Sequence, residues 1–150
     1  MTNGIDTLLG SNGDPSRPLI CIEVNPPRGT DVESVLERYA GIDLSGHDVY
    51  VQVSAGITVN ETAVEAAACA AIASSYYSTP LPLDRVVFGE VGLGGELRPV
   101  RSAPTRARES ARLGFPASDG PRLRETIASH RGHADIAALL DALGVLRPEG

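Results

Sequence analysis

The stretch that decides the fold is Val86-Val87-Phe88-Gly89-Glu90-Val91-Gly92-Leu93-Gly94-Gly95-Glu96-Leu97-Arg98-Pro99-Val100. Arg85 to Phe88 has the β-branched and aromatic character of a short strand. Gly89, Gly92, Gly94 and Gly95 then force turns or bulges that a Cβ would resist. Glu96-Leu97-Arg98 reads as a returning strand that Pro99 stops. Ser102-Ala103-Pro104 can open a helix, with proline tolerated in the first turn. That helix is expected to reach Leu113 and stop at Gly114.

Upstream, Pro18 to Val24 is a short apolar run, expected as a strand, and Asn25-Pro26-Pro27-Arg28-Gly29 breaks it. Thr30 and Glu33 have capping-box spacing, which places a helix start at Thr30. Val32, Val35, Leu36 and Tyr39 give that helix one apolar face, and Gly41 ends it. Asp48 to Ser54 alternates strictly, as a half-buried strand does. Thr58 and Glu61 repeat the capping box ahead of an alanine-dominated helix through about Ser75, small enough on every side to be buried. Leu81-Pro82-Leu83 is a connector. Further helices are expected near 121–130 and 134–143, the second with an Ile136, Leu139, Leu140, Leu143 stripe. Residues 1–17, polar with Gly10, Gly13 and Pro15, read as a flexible lead-in. Residues 18–150 then form one domain, an α+β unit with one mixed sheet and packed helices.

Composition narrows the chemistry. The chain of 150 residues holds thirteen arginines and no lysine, at a net charge of −6. The charge is uneven. Residues 98–131 carry eight arginines against Glu109, Asp119 and Glu125, a local balance of +5, while the remainder stands at −11. A basic segment on an acidic body is either a phosphate-facing surface or a set of solvated, internally paired helix faces. Cys21 and Cys69 are expected to be reduced and structural, because two thiols make no metal framework. No signal peptide or membrane-spanning run is present, so the cytoplasm is the default location and no membrane partner is expected.

The ordered blocks Asp31 to Gly41, Leu44 to Val51, Ala55 to Ala63, Ser74-Ser75, Pro80-Leu81-Pro82 and Val86 to Val100 resemble the Lon-protease-like fold (ribosomal protein S5 domain 2-like). They are most similar to the C-terminal domain of the bacterial DNA-repair ATPase RadA, also called Sms. The resemblance covers about residues 30–115. It implies a site that Lon proteases build from a serine and a general-base lysine. The matching positions here are Ala63 or Val64 for the serine and Pro104 for the lysine. A desolvated lysine with lowered pKa takes the serine proton in such a dyad, and arginine cannot substitute because it stays protonated. The resemblance therefore implies a domain without Ser-Lys peptidase activity.

The chain also departs from the RadA family. It has no Gly-x-x-x-x-Gly-Lys-[Ser/Thr] phosphate loop and no four-cysteine zinc motif, so no cofactor is expected. Pro116-Ala117-Ser118-Asp119-Gly120 replaces an apolar strand of the family, and polar, helical-looking sequence replaces the next strand. The opening methionine and polar lead-in lean toward a free-standing relative rather than an excised domain.

Two functions follow. The first is an oligomerising binding module related to DNA repair. Lon-like domains resemble one another in packing as rings, and such a homo-oligomer would present Arg98, Arg101, Arg106, Arg108 and Arg112 to DNA or to a repair protein. The second is a repurposed small-molecule enzyme or ligand binder, using Glu61, Glu65, Glu90 or Tyr50 near the vacated pocket. Glu61 and Glu65 share a helix face by their spacing. His47-Asp48 point to opposite faces of a strand and make a poor acid-base pair. His130 and His133 by themselves do not make a metal site. Tyr76-Tyr77 are expected to cover the core edge.

Overall fold

The computed structural model of the protein describes residues 26–44 and 62–146. The expected strands at 18–24 and 48–54, the lead-in, Cys21, His47-Asp48, Tyr50 and the capping box ending at Glu61 lie outside the described residues. The chain is α+β, with parallel and antiparallel pairing both present. Helix α1 is Pro26–Ala40 and α2 is Glu65–Tyr76, entered through a 3-10 turn at Thr62–Val64. Strands β1 (Arg85–Val87), β2 (Glu90–Val91) and β3 (Leu97–Arg98) lead to α3 (Ala103–Arg112). Strands β4 (Ala117–Pro121) and β5 (His130–His133) follow, then α4 (Ile136–Ala142). Among the described residues, β1-β4-β5 form a parallel sheet and β2-β3 an antiparallel ribbon. No described helix is long and apolar enough to cross a membrane.

Helix α1 begins earlier than the Thr30 start, at the prolines read as a break. Proline lacks only an N–H that the first turn leaves unused, and its fixed φ suits helix entry. Gly41, at φ +67°, ends the helix. Val35 and Leu36 of α1 join Cys69 and Ala73 of α2 and Ile136, Leu139 and Leu140 of α4 in the main core. The small side chains of α2 do bury it on nearly every side, from Ala66 through Ser74. Burial also pushes the Cys69 thiol well above its usual range, with the Glu65 carboxylate adding to the shift, so the thiol is inert near neutral pH. Asp135 caps α4 by accepting from the Ala138 N–H at 2.8 Å.

The sheet corrects two expectations. Ala117–Pro121, read as the replacement of a strand, is itself the central strand of the parallel sheet. Residues 121–130 are not a helix: β4 ends at Pro121, and β5 starts at His130. Alanine, serine, aspartate, glycine and proline are all poor strand formers, which is why the segment does not look like a strand. Tertiary contacts override that preference. Asp119 is fully buried. Its Oδ2 accepts from Arg85 Nη1 of β1 at 2.7 Å. Its Oδ1 accepts from Arg131 Nε of β5 at 2.8 Å and lies 2.8 Å from His133 Nε2. One carboxylate thus ties both flanking strands to the middle one. Gly120 permits close approach, since a Cβ there would lie 2.6 Å from the Phe88 carbonyl oxygen. A second, smaller core forms where Phe88 meets Ala103 and Ala107 of α3.

Burial alone would raise the Asp119 pKa, but hydrogen bonds from Arg131, His133 and Arg85 more than offset it and hold the carboxyl below its usual range. A depressed folded-state pKa contributes stability above the unfolded value, near pH 4, and that stability is lost as pH falls through the folded value. We expect Asp119→Asn to cost roughly 2 kcal/mol in urea unfolding at pH 7, since it removes the buried charge that the partly exposed Arg85 and Arg131 are paired with. The variant should also lose part of the wild-type decline in stability below about pH 4. An unchanged unfolding midpoint at pH 7 would contradict the role given to this carboxylate.

Candidate functional site

The two positions that the Lon-type resemblance matches to a serine, Ala63 and Val64, sit in the 3-10 turn that opens α2. This turn is clamped to the glycine-rich segment. The Gly89 N–H donates to the Ala63 carbonyl at 2.8 Å, and the Ala66 N–H donates to the Gly89 carbonyl at 3.0 Å. Gly89 adopts φ +153°, and a Cβ on it would touch Ala66 Cβ at 3.4 Å. A residue with a side chain would strain the backbone at this φ. Pro104, which the same resemblance matches to the lysine, lies in the first turn of α3. None of these three residues has a nucleophilic or basic group. The neighbouring hydroxyl, Thr62 Oγ1, donates to Glu90 Oε2 at 3.2 Å. Ser102 precedes α3 in the left-handed region, at φ 57°.

Beside the clamp, α1, α2 and the ribbon enclose a cleft of about 150 Å³. Glu65, Glu90 and Arg98 line it with Val32, Val35, Val91, Gly92 and Leu93. Glu65 comes from the first turn of α2, and its Oε2 accepts from the Val91 N–H at 2.9 Å. Glu90 and Arg98 are cross-strand partners in the ribbon. Arg98 Nη1 stands 3.9 Å from Glu90 Oε1. Its Nε and Nη2 bind Glu96 Oε1 more closely, at 3.0 and 2.9 Å. The structure therefore brings together Glu65 and Glu90, two of the carboxylates singled out in the sequence, with Arg98 of the arginine set. Glu61 and Tyr50, the other two candidates, lie outside the described residues.

Glu96, the closer partner of Arg98, is a neighbour of the cleft that pattern reading missed. Its carboxylate folds back over the ribbon turn, where a Cβ on Gly92 would lie 2.0 Å from Glu96 Oε1. Its own backbone N–H, then Arg98, hold its pKa below the usual range. The signal was present in the glycines at 92 and 94, which leave room for a side chain to cross the turn. Gly95, at φ +81°, serves another contact, because a Cβ there would lie 2.8 Å from the Tyr39 ring of α1.

The remaining candidate arginines lie apart from Arg98. Arg108 and Arg112 lie on the outer face of α3, opposite its buried Ala103, Ala107 and Ser110, while Arg101 lies in the turn before the helix. Arg108 pairs with Glu125 and Arg112 with Glu109. Arg106 turns aside, donating from Nε to the Arg101 carbonyl at 2.9 Å. The two histidines are engaged within the sheet. His130 Nε2 donates to the Pro121 carbonyl at 2.9 Å, and Nδ1 lies 2.9 Å from Ser118 Oγ, which can serve as either donor or acceptor. His133 is held by Asp119. Among the described residues, no group of three His, Cys, Asp or Glu side chains is placed to hold a metal ion.

No family model matches the chain. Curated relatives do. It is 37% identical over 135 residues to the DNA repair protein RadA of Haemophilus influenzae, a match covering 89% of this chain and 29% of that protein. It is 41% identical over 114 residues to the DNA repair protein RadA of Escherichia coli, covering 73% of this chain and 24% of that one. To the Pseudomonas aeruginosa protein of the same name it is 48% identical over 82 residues, or 55% of this chain and 18% of the relative. The chain thus carries a RadA-like domain and spans under a third of the length of these relatives.

Glu65 links α2 to the ribbon by accepting a hydrogen bond from the Val91 amide. Glu65→Ala is expected to lower stability by about 1–2 kcal/mol. Native-state hydrogen exchange should show faster exchange at the Val91 amide than in the wild type, and equal protection there would remove Glu65 from this role.

Proposed function

We propose that this RadA-like domain works in the cytoplasm as a non-peptidase binding module of DNA repair, assembled from several copies of itself and touching nucleic acid through α3. Three lines support the reading. The relatives it matches are named DNA repair proteins. The positions that the Lon-type resemblance assigns to serine and lysine are Ala63 or Val64 and Pro104, and the chain has no lysine at all. The observation that carries the DNA contact is the exposed end of α3, where Arg108 and Arg112 share the outer face of the helix and Arg101 lies in the turn that leads into it. Arginine offers a fixed fork of donors that matches a phosphate.

The same geometry limits the strength of the contact. Arg108 and Arg112 already hold Glu125 and Glu109. A phosphate must replace these carboxylates, at exposed positions where an ion pair contributes little. The overall charge of −6 opposes a polyanion at long range. Binding is therefore weak, independent of base sequence and dominated by counterion release. Three phosphate contacts correspond to a slope of about −3 in log affinity against log salt.

Fluorescence anisotropy of a labelled duplex, titrated at 50 and 200 mM salt, tests this. We expect binding at the lower salt and a steep loss at the higher. The double variant Arg101→Ala, Arg108→Ala should shallow the slope by about 2. Absence of binding at 50 mM salt rejects the DNA contact, and a monomeric mass by light scattering rejects the assembly.

A further inference from the structure

We propose that the loop between β4 and β5, residues 122–129, is a second phosphate-gripping element, holding a nucleic-acid backbone with Arg122 and Arg124 beside Arg101. The inference rests on the nucleic-acid reading of α3 and adds residues to it. Pairing sets the first limit. Residues 98–131 hold eight arginines and three acids, and all three acids are engaged. Asp119 holds Arg85 and Arg131, Glu109 holds Arg112, and Glu125 holds Arg108. Arg98 is held by Glu96, and Arg106 donates to the Arg101 carbonyl. Arg101, Arg122 and Arg124 are left exposed, and none of the three has an ion-pair partner.

Packing fixes the loop against α3. Leu123 and Ile127 pack on the small core of Phe88, Ala103 and Ala107, so the loop lies on the helix that Arg101 leads into. The Arg108–Glu125 ion pair ties α3 to the same loop a second time. Leu123 is turned to that core, and the residues on either side of it, Arg122 and Arg124, stand exposed. A Cβ on Gly132 would lie 2.7 Å from the Arg122 Cα, so glycine lets β5 meet the start of the loop closely. The two guanidinium groups therefore stand on an anchored backbone, which lowers the ordering cost of binding.

Competition decides which arginines matter most. A phosphate meeting Arg108 or Arg112 has to displace a carboxylate. At Arg101, Arg122 or Arg124 it displaces only water and gains the paired donors of a guanidinium fork. The surroundings favour a nucleic acid over an acidic polypeptide. A protein interface is built around an apolar centre, whereas a nucleic-acid interface is more polar and strongly positive. The large exposed apolar residues nearest in sequence, Leu113 and Phe115, follow the far end of α3 from Arg101, while Leu123 and Ile127 are partly buried against the core.

The test is anisotropy of a labelled duplex with the full chain at several salt concentrations. It compares the wild type with the double variants Arg122→Ala, Arg124→Ala and Arg122→Lys, Arg124→Lys. Two loop contacts added to three at α3 steepen the wild-type slope to about −4.5. The alanine pair should shallow it by about 2 and weaken binding at low salt about tenfold, while the lysine pair keeps it. Arg38→Ala, at an exposed position of α1, should leave the slope within about 0.5. Phenylglyoxal labelling read by mass spectrometry should show Arg122 and Arg124 protected by the duplex and Arg38 still reactive. The loop is overturned as a contact if the alanine pair keeps the wild-type slope, if Arg38→Ala shallows it equally, or if Arg122 and Arg124 stay reactive. Polyglutamate that displaces the duplex at equal charge concentration overturns the nucleic-acid assignment. A slope near −3 that the alanine pair leaves unchanged removes the loop and keeps the α3 contact, whereas absence of binding at 50 mM salt removes both.

Discussion

The described fold depends on one buried carboxylate. Asp119 stands in the middle strand of the parallel sheet, and its partners come from the strands on either side. Removing an ion from water is expensive, and the cost is met only when attraction and hydrogen bonding are nearly complete. Here both oxygens are used, by two guanidinium groups and an imidazole. The arrangement specifies register as well as pairing. A one-residue slip of β4 would point Asp119 to the other face of the sheet and leave three basic groups without it. Arg131 extends the tie beyond the sheet by donating to the Ala142 carbonyl at the end of α4.

The candidate cleft rests on a second constraint, the close approach of α2 to the glycine segment. Alanines along α2 and the positive φ of Gly89 let backbone meet backbone, so Gly89 makes one hydrogen bond with the 3-10 turn and one with the first turn of α2. That clamp places Glu65 at the Val91 amide and Thr62 at Glu90. Ala63, where the Lon-type resemblance assigns a nucleophile, is buried at 5% exposure and contributes a backbone carbonyl to the clamp. Its neighbourhood retains polar groups, but they are carboxylates held by donors.

Much of the architecture was legible because it follows local rules. The glycine-rich turn, the alanine helix, the α3 boundaries at Ser102 and Gly114 and the leucine stripe of α4 all come from short-range spacing and backbone preference. The start of α1 was not, because a proline pair reads equally as a break and as a helix entry. Strands β4 and β5 were not legible for a stronger reason. Asp119 reaches Arg85 across 34 residues and His133 across 14, and no window of sequence contains such a contact. Serine, aspartate and glycine then look like a turn, and histidines at 130 and 133 look like the fringe of a helix.

The sequence by itself determined what chemistry the chain lacks and which backbone turns it must make. A chain without lysine has no Ser-Lys dyad, and Gly89 and Gly95 supply dihedrals that side chains resist. Only the tertiary structure decided which charges meet. It joined Glu65 with Glu90 and Arg98 in one cleft, paired Arg108 and Arg112 with acids on the outer face of α3, and drew Asp119 inside. The physical reason is that backbone preference acts within a few residues. The cost of burying a charge is settled by whichever partners the whole fold brings within about 3 Å, the reach of a hydrogen bond.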